Sequence, residues 1–308
     1  MLANFFDKTK PFNSIVLVFL FLSFYSTYVF LHNPPVFVEF SALEAITNVL
    51  LHILFLFLGS VIFIKNGVAN ENLHNTLILI LLYGMFPDVF NINNTLYISI
   101  LFLLIYRKLG QIKNKGNILL SLFDVGILSG IAFLLYNWSI LFLLFIYLGI
   151  FIAQKISFKN ILSPILGFFV PIFLFFTYSF LTEHLDSFLQ KFIFEYSFDY
   201  RPTFIKNQTP LLVLSIVSII SIFSVLPKVL SVSNSYRFQY ILALSMLFIG
   251  IFIIALAPEK LDSEMLLIFI PTSILLGRFI KTISKKRFKE LFVLILAIFS
   301  IAFLIKNS

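Results

Sequence analysis

SLFDVGILSGIAFLLYNWSILFLLFIYLGIFIAQKISFKNILSPILGFFVPIFLFFTYSF, Ser121 to Phe180, carries three charged side chains in its whole length: Asp124, Lys155 and Lys159. Helices drawn from such a run have no polar face to give to water, so they need lipid or other apolar helices around them. The rest of the 308 residues is of the same kind, 60% hydrophobic and 12% charged, with a mean hydropathy of +1.04. That composition describes a chain embedded in a bilayer and excludes a soluble globular domain. Cysteine is absent, which removes disulfides, thiolate metal sites and cysteine nucleophiles. Chemistry is left to carboxylates, arginines, lysines, tyrosines and the four histidines. The 42 phenylalanines accompany abundant Ile, Leu, Lys and Asn, the residues of an A/T-rich genome, and read as composition and not as an aromatic box.

Crossing a bilayer takes about 20 apolar residues, somewhat fewer where a helix packs inside a protein. Outward from the quoted run, this rule predicts an all-α bundle of about eleven spans in one membrane domain, residues 1–308. The spans are Asn13 to Leu31, Ile46 to Ile64, Asn75 to Val89, Thr95 to Tyr106, Asn117 to Leu135, Ser139 to Ala153, Ile161 to Leu181, Thr209 to Leu226, Tyr240 to Ala257, Met265 to Ile280 and Leu291 to Ile305. The third and fourth are short and joined only by NINN, so a re-entrant pair is the alternative for them. The first follows DKTKP and has no small-residue cleavage site, which predicts a retained anchor. Gly126 and Gly130 stand four apart, the spacing that lets helices approach closely, and Pro164, Gly167 and Pro171 shape the span beyond.

Orientation follows from the basic residues, because positive segments beside spans stay cytoplasmic. With the N-terminus inside, inner segments hold Lys8, Lys10, Lys65, RKLGQIKNK, Lys155, Lys159, Lys228, Arg237 and Arg278 through Lys289, which is seventeen of the 22 basic residues. Outer segments keep Lys191, Arg201, Lys206, Lys260 and Lys306, together with Glu39, Glu44, Asp88, Glu183, Asp186, Glu195, Asp199, Glu259, Asp262 and Glu264. The net charge of +8 is therefore a topology signal, with anionic lipid as partner at RFIKTISKKRFK and no nucleic acid.

Between the seventh and eighth spans, residues 182–208 form the one long outer segment. Leu185, Phe188, Leu189, Phe192, Ile193 and Tyr196 recur at helical spacing with Glu183, Asp186, Gln190 and Lys191 opposite, which predicts an amphipathic helix lying in the interface. Pro202 is expected to end regular structure and to leave Arg201 and Lys206 as cations on an acidic face. Arg201 either braces the loop against Asp199 or Glu195, or clamps a phosphate with its fixed fork of donors. On the other outer segments Glu39, Glu44 and Asp88 are candidates for a general base or metal ligands, or are solvated topology markers. Within the spans, His52 and Asp124 lie in opposite halves of the bilayer, and Asp124 is expected to bond a neighbouring helix or Lys115.

The helix layout, the acids of the first two outer loops and the Gly-Pro-rich run quoted above resemble the polytopic C-type glycosyltransferase fold. The resemblance covers residues 13–181 as a core, followed by the loop 182–208 and the C-terminal helices 209–305. It implies transfer of a sugar from a polyprenyl-phosphate-linked donor at the outer membrane face. Glu39, or failing it Glu44, would be the catalytic base, with Asp88 orienting the acceptor or a divalent cation and Arg201 with Lys206 on the leaving phosphate. No bound cofactor is implied otherwise. The first loop lacks the family's adjacent acidic pair, and no Asp-x-Asp occurs. The whole chain also resembles a family of inner-membrane proteins of Bacteroidota, which implies a Gram-negative inner membrane and brings no activity with it. The competing reading is a membrane scaffold or assembly component of an envelope or secretion complex, with membrane-protein partners. A lipid or solute transporter ranks below both, because no internal repeat is visible.

Overall fold

The computed structural model describes residues 5–6, 10–32, 42–66, 73–91, 94–114, 117–197, 201–230, 234–257 and 262–306, and among them no strand occurs. The helices are α1 Pro11–His32, α2 Ala42–Lys65, α3 His74–Met85, α4 Asn94–Gly110, α5 Ile118–Leu135, α6 Leu141–Ile152, α7 Phe158–Leu181, α8 Leu185–Gln190, α9 Arg201–Leu230, α10 Asn234–Leu256, α11 Leu266–Thr282 and α12 Lys286–Lys306. Short 3-10 turns at Pro87–Phe90, Asn137–Ile140 and Asp262–Met265 break the ends of three of them. Among the described residues eight helices are long and apolar enough to cross a membrane: α1, α2, α5, α7, α9, α10, α11 with its leading turn, and α12. The expected count of eleven therefore stands at eight by length.

The three remaining expected spans are α3, α4 and α6, of 12, 17 and 12 residues. A 12-residue helix is about 18 Å long and falls short of a hydrocarbon layer of about 30 Å. For α3 that shortfall is harmless, because every residue from His74 to Met85 is buried inside the protein. It is enclosed by α1, α2, α11 and α12. The other interior helix is α11, whose span Ser263–Thr282 is 89% buried, against 22% for the lipid-side helices α1 and α7. Gly84 lets α12 and α1 onto α3: a Cβ there would lie 2.1 Å from Ser300 Oγ and 2.8 Å from the Phe24 ring. The Ser300 hydroxyl donates to Leu81 O at 2.8 Å, closing the contact.

Outside this centre, α5 and α7 run side by side in the same direction, with α6 returning between them. Their contact is backbone on backbone. A Cβ at Gly126 would meet Pro164 O at 2.3 Å, one at Gly130 would meet Phe168 O at 2.4 Å, and one at Gly167 would meet Phe123 O at 2.2 Å. The four-residue glycine spacing read from the sequence thus does what small residues do in membranes, bringing two helices into van der Waals contact along their axes.

The long outer segment departs from expectation in two places. Its helix α8 spans only Leu185–Gln190, and the chain then runs without regular structure through residues 193–197. Asn137 Nδ2 donates to Ile193 O at 2.5 Å and Trp138 Nε1 to Glu195 O at 2.8 Å, so side chains of the 137–140 turn take the carbonyls that a longer helix would have used. The periodic aromatic residues dock on the protein: Phe188 against Phe175 and Phe176, and Phe192 against Phe133. Further on, Pro202 stands in the first turn of α9 and does not end structure. At that position the missing N–H costs nothing and the fixed φ suits a helix start.

Candidate functional site

The end of the bundle that the charge pattern assigns to the outside is organised by the turn Pro87–Phe90, which caps the buried helix α3. Three side chains from neighbouring helices hold this region. Asn48 Nδ2 donates to Phe90 O at 2.7 Å. His52 lies between two carbonyls, its Nδ1 2.9 Å from Asn48 O and its Nε2 3.3 Å from Val89 O. Its ring is wholly buried among Phe21, Tyr83 and Phe90. Tyr28 donates to Asn91 Oδ1 at 2.7 Å. A polar residue inside a span needs partners, and His52 finds them within the protein as a structural pin for the turn.

Onto this turn packs the second one, Asp262–Met265, which leads into the other buried helix, α11. Glu264 is 5% exposed. A carboxylate at such burial needs close polar company, and Tyr136, at the end of α5, faces it. Burial, with the Glu264 charge beside it, pushes the Tyr136 phenol above its ordinary pKa, so it remains a proton donor. Three residues on, the fully buried Ser139 hydroxyl has no hydrogen-bond partner among the described residues. Asp88, partly buried on the 87–90 turn, completes the polar residues brought to this end by the two abutting turns.

The residues singled out from the sequence fare unequally. Asp88 stands on this fixed turn. Glu44 is exposed in the first turn of α2, one turn before the Asn48 that holds Phe90. Glu39 lies outside the described residues. Arg201 and Lys206 fall in the first turns of α9, and their side chains lie outside the described residues, so brace and clamp both stay open. Among the described residues no group of three or more His, Asp or Glu side chains converges to hold a metal ion. Glu264 was visible in the sequence only as one outer acid among ten. Its burial comes from two turns distant in sequence meeting each other, for which no local signal exists.

Asp124 bonds a neighbouring helix, the first of the two partners expected for it, and Lys115 lies outside the described residues. Lys108 Nζ in the last turns of α4 lies 2.5 Å from Asp124 Oδ2, with both side chains about one-third exposed at 34% and 38%. The Asp therefore neutralises a cation at the C-terminal end of α4, a structural role.

The family model described as "Family of unknown function (DUF6427)" matches residues 1–307, and the chain belongs to that family. No curated protein and no solved structure matches it.

Proposed function

We propose that this DUF6427 member acts at the outer face of the bacterial inner membrane in the biogenesis of envelope glycan, transferring a sugar from a polyprenyl-phosphate-linked donor. The observation that carries the reading is the buried Glu264 carboxylate facing Tyr136, beside the turn that bears Asp88. Such a transfer needs a carboxylate that takes the acceptor hydroxyl's proton as the new bond to the anomeric carbon forms and the bond to phosphate breaks. It also needs cations for the departing polyprenyl phosphate. Glu264 is the base in this reading, with Tyr136 holding it in place; Asp88 orients the acceptor, and Arg201 and Lys206, on the adjoining outer segment, neutralise the phosphate. The acids of the first loop, Glu39 and Glu44, then attract or guide the acceptor and take no proton.

The test is a lipid extraction. Cells carrying Glu264→Gln or Asp88→Asn in place of the wild type should accumulate unconsumed polyprenyl-linked sugar, while the purified variants melt within about 1 kcal/mol of wild type. Unchanged lipid-linked sugar pools in both variants would exclude the transferase. That outcome would favour a scaffold of an envelope or secretion complex, which the exposed aromatic residues of α7, Phe169, Phe173, Tyr178 and Phe180, also suit.

A further inference from the structure

Between α9 and α12 the bundle does not close over its buried centre. Helix α9 packs on α11 and α12 packs on α3, but α9 and α12 make little contact with each other among the described residues. One turn beyond Val217, the Ser221 hydroxyl fastens α9 to α11 by donating to Leu275 O at 2.8 Å. The α12 side of α9 is left with a notch of about 260 Å³, its open mouth included. One face of α3, with Ile78, Leu82 and Met85, lines it together with Val213 and Val217 of α9 and Leu296 of α12. The α3 residues and Leu296 are buried, whereas the two valines are half-buried.

The chemistry of an occupant follows from lining, shape and charge. Only aliphatic side chains and Met85 line the notch, so water finds no polar partner there. Helices α9, α11 and α12 are long and apolar enough to cross a membrane, which sets the mouth of the notch among lipid tails. From Ile78 to Met85 the lining face of α3 runs about 10 Å along the helix axis, the direction in which lipid chains also lie. The enclosed part has room for about one water-sized sphere, a width that takes an unbranched methylene chain more readily than a methyl-branched chain or a ring. Charge marks one end. Helix α9 carries Arg201 and Lys206 in its first two turns and no acidic residue along its length. Lys206 stands seven residues before Val213 and eleven before Val217, on the same helix face and about 10 Å along the axis from the notch. A headgroup joined to a chain in the notch comes level with these basic positions, and an anionic head complements them.

We propose that the notch is a lipid site that seats one unbranched acyl chain of an anionic glycerophospholipid, closing the gap between α9 and α12. The chain supplies the dispersion contacts that a void beside Ile78, Leu82 and Met85 forgoes. The site does not rest on the proposed sugar transfer, and either can fail without the other.

The test is lipid retention by the full chain. The protein, purified in mild detergent, is loaded with phosphatidylglycerol, phosphatidylcholine or a polyprenyl phosphate, washed in detergent and weighed by native mass spectrometry. A single phosphatidylglycerol should survive washing that strips the other two. Val217→Phe and Val213→Phe each put a ring into the notch and should lower that retention at least about tenfold. Ile216→Phe, on the exposed side of α9 at 54% exposure, should leave it unchanged. Added phosphatidylglycerol should also raise the melting temperature of the wild type and of Ile216→Phe but not of the two notch variants. Melting shows which variants are folded, and either notch variant suffices if the other is not. A wild type that keeps no lipid overturns the proposal, as does retention unchanged in a folded notch variant. Equal losses in Ile216→Phe and the notch variants would reduce the bound lipid to an unspecific film and overturn it too. Phosphatidylcholine held as well as phosphatidylglycerol would remove the anionic head, and polyprenyl phosphate held in preference to both would make the notch part of a donor site; each result overturns the assignment.

Discussion

The buried pair α3 and α11 and the flanking pair α5 and α7 are both closely packed, yet they are held by different means. Around α3 and α11 the contacts are side chains on all sides, from Ile78, Leu79 and Tyr83 to Phe269, Ile274 and Leu275, each nearly inaccessible. Helices so enclosed can be short, and they can carry polar groups at both ends, because other parts of the protein and not lipid receive them. Along α5 and α7 lipid tails compete for every apolar side chain, so burial of apolar surface gives little drive to association. That pair is held where glycine lets backbone touch backbone. Buried polar groups sit at the ends of the enclosed pair, and the flanking pair forms a stiff wall of two helices in direct contact.

The sharpest way to break this contrast is to add one methyl group to each kind of contact. Gly126→Ala places a Cβ 2.3 Å from Pro164 O and 2.9 Å from Pro164 Cα, atoms that cannot move without shifting α7. It should cost about 3 kcal/mol, at the upper end of overpacking penalties. Gly149→Ala meets only Leu109 methyls at 3.2 and 3.3 Å and a Leu242 methyl at 3.5 Å, which can turn aside, and should cost less than about 1 kcal/mol. Thermal melts of the two variants in the same detergent decide it. Equal losses would mean that backbone contact is not what joins α5 to α7.

How much of this was legible in the sequence depends on the range over which each feature is encoded. The Gly126–Gly130 spacing and the long apolar spans are local patterns, and both are found where they were read. Which helices occupy the centre was not legible, since α3 and α11 are apolar on all faces and an all-round apolar helix does not announce its neighbours. The pairing of the 87–90 and 262–265 turns, and with it the burial of Glu264, is a contact between residues far apart in the chain. The buried amides Asn66, Asn75 and Gln239 come from the end of α2, from α3 and from α10, and each alone looks like a polar residue at a helix edge. Pro202 was misjudged through its two roles, helix breaker in an interior and helix starter in a first turn.

A smaller effect concerns the join between the flanking pair and the outer segment. Trp138→Phe removes the donor to Glu195 O but keeps a ring beside Phe194, 5.3 Å away in an edge-on arrangement. The loss should be about 1 kcal/mol, one neutral hydrogen bond, and it should fall on residues 182–197 and not on the helices. Limited proteolysis reads this directly, with cleavage in that segment expected to quicken while the melting temperature stays nearly constant. Equal cleavage rates would show that the Asn137 bond to Ile193 O and the aromatic contacts of Phe188 and Phe192 suffice to hold the segment down.

The smallest expected effect is at the Lys108–Asp124 pair, and its interest lies in the asymmetry between the partners. Both side chains are about one-third exposed, so the pair itself is worth no more than about 1 kcal/mol, as for exposed ion pairs generally. Asp124→Asn leaves Lys108 in the last turns of α4, where a cation is favoured by the helix dipole and its long side chain can extend towards water. Lys108→Met leaves instead a carboxylate in the second turn of α5, with its nearest cation gone and a short side chain that cannot reach water as readily. The lysine variant should therefore be the less stable of the two, and the double variant should recover part of the difference. A double-mutant cycle of melting temperatures measures this. An aspartate variant at least as damaged as the lysine variant would mean that Asp124 supports α5 through something other than charge neutralisation. In that event the flanking pair would be held by a polar bond in addition to its glycines, and the contrast with the enclosed pair would narrow.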